Sequence, residues 1–393
     1  MNSSIALLET YQKYVGESEA PPVFHRWAFL LCLSAALGRN VHATMNGSCI
    51  YPNEYAMLMG APGTRKSTAI KGARKLLELS KFNFFSANQT SKEQFYVDLA
   101  SVGELDLNSV SRAFICADEF NNFIGEKNTG FVSGLMELYD AGDLFESKSK
   151  HGKSASVSFP TVSILGGNTH ANFTTAFSPS IIHNGFLSRM LLIFGAPSGK
   201  RLPWGGTKDK DLELLLVAHL AHLQENLSGA LKYTPGSKHA MERIYDSWEP
   251  IEDTRFDYYA QRRHTHLIKL ATILACGAGT LLLQEADVVL ANTILSAAED
   301  AFAQALGEFG KSRFADEASL IMSELYKHGK TPTESQDLYR AVQGNLEKFD
   351  TFREIMIALV SSKKIIQVGT GYVAAPPKKR RSEYVDVSLL KTV

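Results

Sequence analysis

Cysteine is scarce: only four of the 393 residues, Cys32, Cys49, Cys116 and Cys276, carry a thiol, and they lie far apart. No CxxC or Cys/His spacing for zinc occurs, and no dense framework of a disulfide-stapled secreted domain. Separate reduced thiols in apolar surroundings are expected. Net charge is also missing, because 41 Lys and Arg balance 41 Asp and Glu. That balance excludes a wholesale cationic polymer binder, so any phosphate contact must come from local patches. No apolar run matches a membrane span, which takes about 20 residues. The most apolar stretch, Leu267 to Leu283, carries Lys269 and two glycines and reads as a buried bundle helix. Met1 to Gln12 lacks a basic start leading into an apolar run, so no secretory leader is expected. No repeat of 20–50 residues is visible. What remains is ordinary globular composition, 45% hydrophobic and 21% charged, expected of a soluble, intracellular protein with room for about two to three domains.

Texture divides the chain. Residues 1–50 read as helical, with Pro21-Pro22 suiting a helix entry before the apolar stretch Val23–Leu37. From 51 to 197, short β-type runs at Tyr55–Met59, Phe82–Ser86, Ala113–Ala117, Thr161–Leu165 and Met190–Phe194 alternate with helical stretches such as Thr68–Leu79 and Glu93–Ala100. That alternation predicts an α/β core with a parallel sheet. A Gly- and Pro-rich linker, Ala196–Gly206, opens a region 198–312 that reads as a helical bundle through Asp209–Glu225, Ser237–Trp248, Arg255–Leu283 and Ala286–Phe309. Residues 313–375 show helix, turn, helix, helix and two β-like pieces around Gly369-Thr370-Gly371, the order of a small winged-helix-like module. Residues 376–393 form a proline-led tail with Lys378, Lys379, Arg380 and Arg381, read as a flexible phosphate-seeking arm or a partner peptide.

The most informative segment runs from Tyr55 through Gly60-Ala61-Pro62-Gly63-Thr64-Arg65-Lys66-Ser67-Thr68. A strand, a glycine-bearing turn, Lys-Ser and a helix are the parts of a phosphate cradle. The glycines let backbone N–H groups turn inward and the helix N-terminus adds positive dipole. Lys66 reaches the β- and γ-phosphates, and Ser67 coordinates magnesium. Arg65 stands where the usual GxxxxGK[ST] pattern has its second glycine, and it is expected to fit only with a negative φ. The other reading is a plain Lys-Ser at a helix start.

Two further strands end in polar residues, and a third is preceded by an arginine. Arg112–Ala117 delivers Asp118 and Glu119, the first to hold Mg²⁺ through water and the second to orient and deprotonate an attacking water; a surface turn is the bland alternative. Thr161–Gly167 delivers Asn168 to sense the γ-phosphate, unless Gly-Gly-Asn is merely a tight turn. Arg189, ahead of Met190–Phe194, could stabilise transition-state charge in its own subunit or a neighbour's, or simply form a salt bridge.

In that order, with Glu137-Leu-Tyr-Asp140 between the second and third elements, these motifs resemble a broad family of P-loop ATPases. Its members are encoded by bacteriophages and mobile elements and are often described as helicase- or primase-associated. The resemblance continues through Arg262-Arg263-His264 to Ala275 and covers most of residues 20–310; the Arg65 variant of the loop is familiar there. It implies an AAA+/RecA-like P-loop core, ATP and Mg²⁺, a ring or other homo-oligomer such as a hexamer, and the cytoplasm of a bacterial host. It implies a DNA-replication role loosely, since a fold does not fix a substrate.

Between Tyr139 and Phe159, polar and apolar residues alternate on both sides of His151-Gly152, predicting a β-hairpin whose tip carries Lys148, Lys150 and Lys153. In ring helicases a hairpin placed here projects into the channel and holds the strand backbone; otherwise it is a solvated loop. The leading expectation is an ATP-driven motor on single-stranded or forked DNA, a phage-type replicative helicase or translocase. A helicase loader or regulatory ATPase acting on a primase or other replication protein is the alternative, and a nucleotide-binding scaffold without hydrolysis is the third. No zinc ribbon or nuclease carboxylate cluster adds a further activity.

Overall fold

A computed structural model describes residues 3–106, 108–140, 142–148, 154–177, 181, 185–206, 208–307, 315–329, 331–345, 349–361, 365–374 and 384–392. The chain forms two compact units, residues 1–309 with 381–393, and residues 310–380.

Two helices, α1 (Ser3–Val15) and α2 (Pro22–Leu37), open the first unit, with Pro22 in the first turn of α2 and Gly38 at φ +52 ending it. An antiparallel pair, β1 (Val41–Met45) and β2 (Ser48–Ile50), follows. The helical reading of residues 1–50 therefore stops at Leu37. Asn46 and Gly47, both at positive φ, turn the chain back between the two strands.

The central sheet begins with β3 (Tyr55–Met59), which runs into α3 (Lys66–Leu79). After α4 (Lys92–Leu105) come β4 (Arg112–Ala117), α5 (Phe120–Ile124) and α6 (Thr129–Tyr139). The strands β5 (Leu144–Ser147) and β6 (Ala155–Ser158) pair antiparallel as the expected hairpin. Next are β7 (Thr161–Asn168), α7 (His170–Ala176) and β8 (Leu191–Phe194). Four strands make a parallel sheet in the order β4-β7-β3-β8. Every residue of β3 and β7 is buried, as strands covered on both faces require; β3 runs apolar throughout, and β7 buries Thr161, Ser163 and Asn168 among its apolar residues.

The run Phe82–Ser86 is not a full strand. Only Phe85 bridges Phe114, in parallel, along the outer edge of β4. Lys81 enters it at φ +65, and Phe82, Phe84 and Phe85 cluster around Phe114 as a hydrophobic wedge.

Helix α8 (Lys210–Asn226) follows the linker, then the short β9 (Gly229–Ala230) and β10 (Lys232–Tyr233), and α9 (Pro235–Ser247). Arg255–Leu283 is several pieces: a 3₁₀ turn Thr254–Phe256, α10 (Asp257–Ala260), α11 (Arg263–Gly277) and β11 (Leu282–Leu283). Helices α12 (Glu285–Glu299) and α13 (Phe302–Leu306) complete this stretch. The region 198–312 does not stand apart. β9 pairs in parallel with β1, α11 is buried along its length, and one hydrophobic core runs from Leu8 to Leu306.

The second unit holds α14 (Ala315–His328), β12 (Thr333–Glu334), α15 (Ser335–Val342), a 3₁₀ turn Gln343–Asn345, α16 (Phe349–Ser361), β13 (Ile365–Val368) and β14 (Gly371–Ala374). Its antiparallel sheet has the order β12-β14-β13, and its own core includes Leu325, Leu338, Phe352 and Ile355. Lys378, Lys379, Arg380 and Arg381 lie outside the described residues. Residues 384–392, ending in α17 (Leu389–Thr392), are no free arm. Tyr384, Leu389 and Leu390 pack on the core of the first unit. Arg26 donates to the Leu390 carbonyl at 2.9 Å, and Asn292 to that of Tyr384 at 3.0 Å. Among the described residues no helix is long and apolar enough to cross a membrane.

Candidate nucleotide site

Parallel strands gather their functional groups at their carboxyl ends, where ligands of open α/β sheets bind. Here those ends carry Gly60 after β3, Asn168 on β7 and Asp118-Glu119 after β4, with β7 between the other two strands. The loop from Gly60 to Arg65 turns tightly. A Cβ on Gly60 would stand 2.8 Å from the Gly195 carbonyl oxygen, so only glycine lets the loop pass β8. Gly63 takes φ +82. Thr64 is buried and donates from its hydroxyl to the Ala61 carbonyl at 2.8 Å, closing the turn.

Arg65 sits at the N-cap of α3 with φ +60 and ψ +29. The expectation that arginine would fit with a negative φ is overturned: Arg65 keeps the left-handed conformation that glycine adopts freely, and for a residue with a Cβ this costs about 1–2 kcal/mol. Its guanidinium is held by the Glu19 carboxylate at 2.5 Å.

Lys66, Ser67 and Thr68 begin α3. The Lys66 ammonium folds back onto its own loop, donating to the carbonyls of Gly60 at 2.9 Å and Ala61 at 3.0 Å and to the Thr64 hydroxyl at 3.2 Å. Burial lowers its pKa, and the Glu119 carboxylate opposes that shift. The acceptors that Lys66 meets are neutral oxygens, and among the described residues no carboxylate lies within hydrogen-bonding distance of this ammonium.

Asp118 and Glu119 leave β4 where β7 carries Gly166 and Gly167. Those glycines lie inside β7, not in a turn, and serve close packing. A Cβ on Gly167 would stand 2.5 Å from the Asp118 carbonyl oxygen, and one on Gly166 3.1 Å from Phe120. Asn168 is buried and pairs in register with Met59, immediately before the loop. Its amide donates to Asn121 Oδ1 at 2.8 Å, while Asn122 donates to Glu119 Oε2 at 3.1 Å.

A cleft of about 880 Å³ brings Ser67, Asp118, Glu119 and Asn122 together, extending along α3 past Lys71 and Arg74 to Asn88 and Gln89. Ser67 and Asp118 present hydroxyl and carboxylate oxygens to one space, the donor type that hard divalent cations take. Asp118 Oδ2 accepts from the Lys71 ammonium at 2.9 Å. Lys71 is a partner that sequence reading missed. Its signal is helical spacing, four residues after Ser67 on one face of α3. Glu19 offered none, since it meets Arg65 across 46 residues of sequence.

Arg189 does not line this cleft. Its guanidinium donates to the Gly185 carbonyl at 3.1 Å and pairs with Asp140 at 2.9 Å, and Arg262 approaches the same carboxylate at 2.8 Å. Two guanidiniums hold the Asp140 carboxyl below the usual range against the opposing effect of burial. Lys148, where the connecting loop leaves β5, is exposed and faces Glu146 at 3.4 Å; Lys150 and Lys153 lie outside the described residues. Three of the cysteines are buried, and Cys49, contrary to expectation, is exposed.

No protein-family model matches this chain, and no curated protein matches it at a significant level.

Proposed function

We propose that the protein is an ATPase with a P-loop core of AAA+/RecA-like type that uses ATP and Mg²⁺ to work on DNA as a homo-oligomeric motor. The observation that carries this reading is the convergence of Ser67, in the first turn of α3 just after the glycine loop, with the Asp118-Glu119 pair from the end of β4 on one cleft. Phosphates at the start of α3 would meet its unpaired N–H groups and helix dipole. The Lys66 ammonium, now on neutral carbonyls, would exchange them for phosphate oxygens. Ser67 and Asp118 would hold Mg²⁺, which when bound draws charge off the phosphate oxygens. Glu119, steadied by Asn122, would orient and deprotonate water, and Asn168, fixed beside the loop, would hydrogen-bond the reacting phosphate. Arg189 is assigned to an interface, where a neighbour's cleft would receive it in place of Asp140.

The DNA half of the reading rests on the β5–β6 hairpin, placed ahead of β7, and on Lys148, Lys150 and Lys153 as sequence-independent phosphate contacts. The second unit, with its three helices and antiparallel hairpin, is read as a winged-helix-like module. ATP turnover of wild type and Lys66→Ala, with and without single-stranded DNA, tests both halves. Turnover abolished by Lys66→Ala and stimulated by DNA is expected. Equal turnover in both proteins removes the site from this loop, and turnover indifferent to DNA favours a loader driven by a protein partner.

A further inference from the structure

A left-handed arginine in the middle of a phosphate loop needs something to keep it there, and one acidic side chain is in place to do so. Arg65 is at φ +60 and ψ +29, and its carbonyl accepts the first bond of α3, from Thr68 N–H at 3.1 Å. Nothing in its local sequence favours that conformation. Its guanidinium ends on Glu19 Oε2 at 2.5 Å. Glu19 in turn is fixed from three directions: Oε1 accepts from the Leu202 N–H at 2.8 Å, its backbone carbonyl accepts from the Ser198 hydroxyl at 2.6 Å, and Oε2 takes Arg65. The side chain is 22% exposed, whereas that of Arg65 is 55% exposed. The anchored partner is therefore the carboxylate, and the arginine is the group being held. The Leu202 N–H and then the Arg65 guanidinium hold the Glu19 carboxyl below the usual range, so it stays charged at neutral pH.

We propose that Glu19 is a positioning residue for the nucleotide site: through Arg65 it holds residues 60–66 in the conformation that a glycine at position 65 would take unaided. This rests on the reading of that loop as a phosphate cradle. The segment between α1 and α2 and the linker after β8 would then belong to the site's supporting structure, although neither touches the cleft. Substituting glycine at position 65 removes both the conformational penalty and the guanidinium, so it should remove the dependence on Glu19 as well. A merely structural role for Glu19 would persist in either background.

The experiment is a two-by-two set of Glu19→Gln and Arg65→Gly, singly and together. Two readouts are taken: the dissociation constant for a non-hydrolysable ATP analogue with Mg²⁺, and the rate of cleavage after Lys66 by a lysine-specific endoproteinase without nucleotide. Glutamine keeps a carbonyl acceptor for Leu202 and loses the charge facing Arg65. Glu19→Gln is expected to weaken the analogue by about three- to tenfold when Arg65 is present. It is also expected to speed cleavage there, and to do neither in the Arg65→Gly background. Equal weakening in both backgrounds, or none in either, overturns the proposal. If the wild-type protein binds no analogue, the phosphate-loop reading falls, and cleavage alone decides whether Glu19 holds the loop. Acceleration confined to the Arg65 background then supports the hold, and equal acceleration in both backgrounds overturns it.

Discussion

Glu119 leaves β4 with an extended backbone and accepts a hydrogen bond from the Asn122 amide. On the proposed reading, replacing its carboxylate by an amide keeps that shape and removes the base. Glu119→Gln should therefore bind ATP as wild type does and hydrolyse it about 10² to 10⁴ times more slowly, read in a single-turnover assay. Lys269 poses a different residue-scale problem. Fully buried on α11, it donates to the Asn53 backbone and side-chain oxygens at 2.7 and 2.8 Å and lies 4.1 Å from the Tyr139 ring centre. Burial lowers its pKa to about 8, with Glu54 and Asp140 acting in the opposite direction. Unfolded, the amine keeps its proton to about pH 10.4. Between those values the unfolded chain binds more protons, so the contribution of Lys269 to stability rises with pH across that window and is constant below it. Urea unfolding at pH 7.5 and 10 should show wild type gaining about 2 kcal/mol on Lys269→Met, and parallel changes in both proteins would contradict this. The residues whose placement was legible in sequence are those set by local order: Lys66-Ser67 at a helix start and Asp118-Glu119 at a strand end. Glu19, Asp140 and Lys269 act across the fold, and a single sequence carries no sign of such pairings.

At the scale of elements, sequence reading located β3, β4, β7 and β8 to within a few residues because each carries a short, mostly apolar run that the sheet buries. It failed where context decides. Val41–Met45 is a strand because β2 and β9 flank it, and Phe82–Ser86 is reduced to a single bridge at the sheet's outer edge. The glycines of β7 also look like a turn until β4 is placed beside them. Their role gives a prediction. Gly167→Ala puts a methyl 2.5 Å from the Asp118 carbonyl oxygen, against backbone that cannot rotate away. The change should cost about 1–3 kcal/mol, seen in denaturant unfolding. It should also reduce turnover by moving the Asp118-Glu119 pair. Gly142→Ala, whose added methyl meets nothing within 4 Å, is the control and should stay within about 0.5 kcal/mol of wild type.

For the whole molecule, the proposed role of Arg189 in a neighbour's site would make activity a property of the assembly. Arg189→Ala and Lys66→Ala should each be inactive alone. Mixed, they should recover part of the wild-type ATPase, since some interfaces then join an intact loop to an intact arginine. A finger supplied in trans is worth about 10³ to 10⁵ in rate, so even a few such interfaces would register above background. No recovery in verified mixed assemblies would place Arg189 within its own subunit, as the partner of Asp140.

The packing of residues 384–392 onto the first unit also dictates an order of events during synthesis. The second unit, 310–380, is an insertion between two stretches of the first. A ribosome therefore releases the entire small unit before it delivers Tyr384, Leu389 and Leu390, and their places beside Arg26 and Asn292 stay open until then. Domains fold as units, in step with their emergence. The larger unit, begun some 300 residues earlier, thus completes this packing only after the smaller unit has been synthesised.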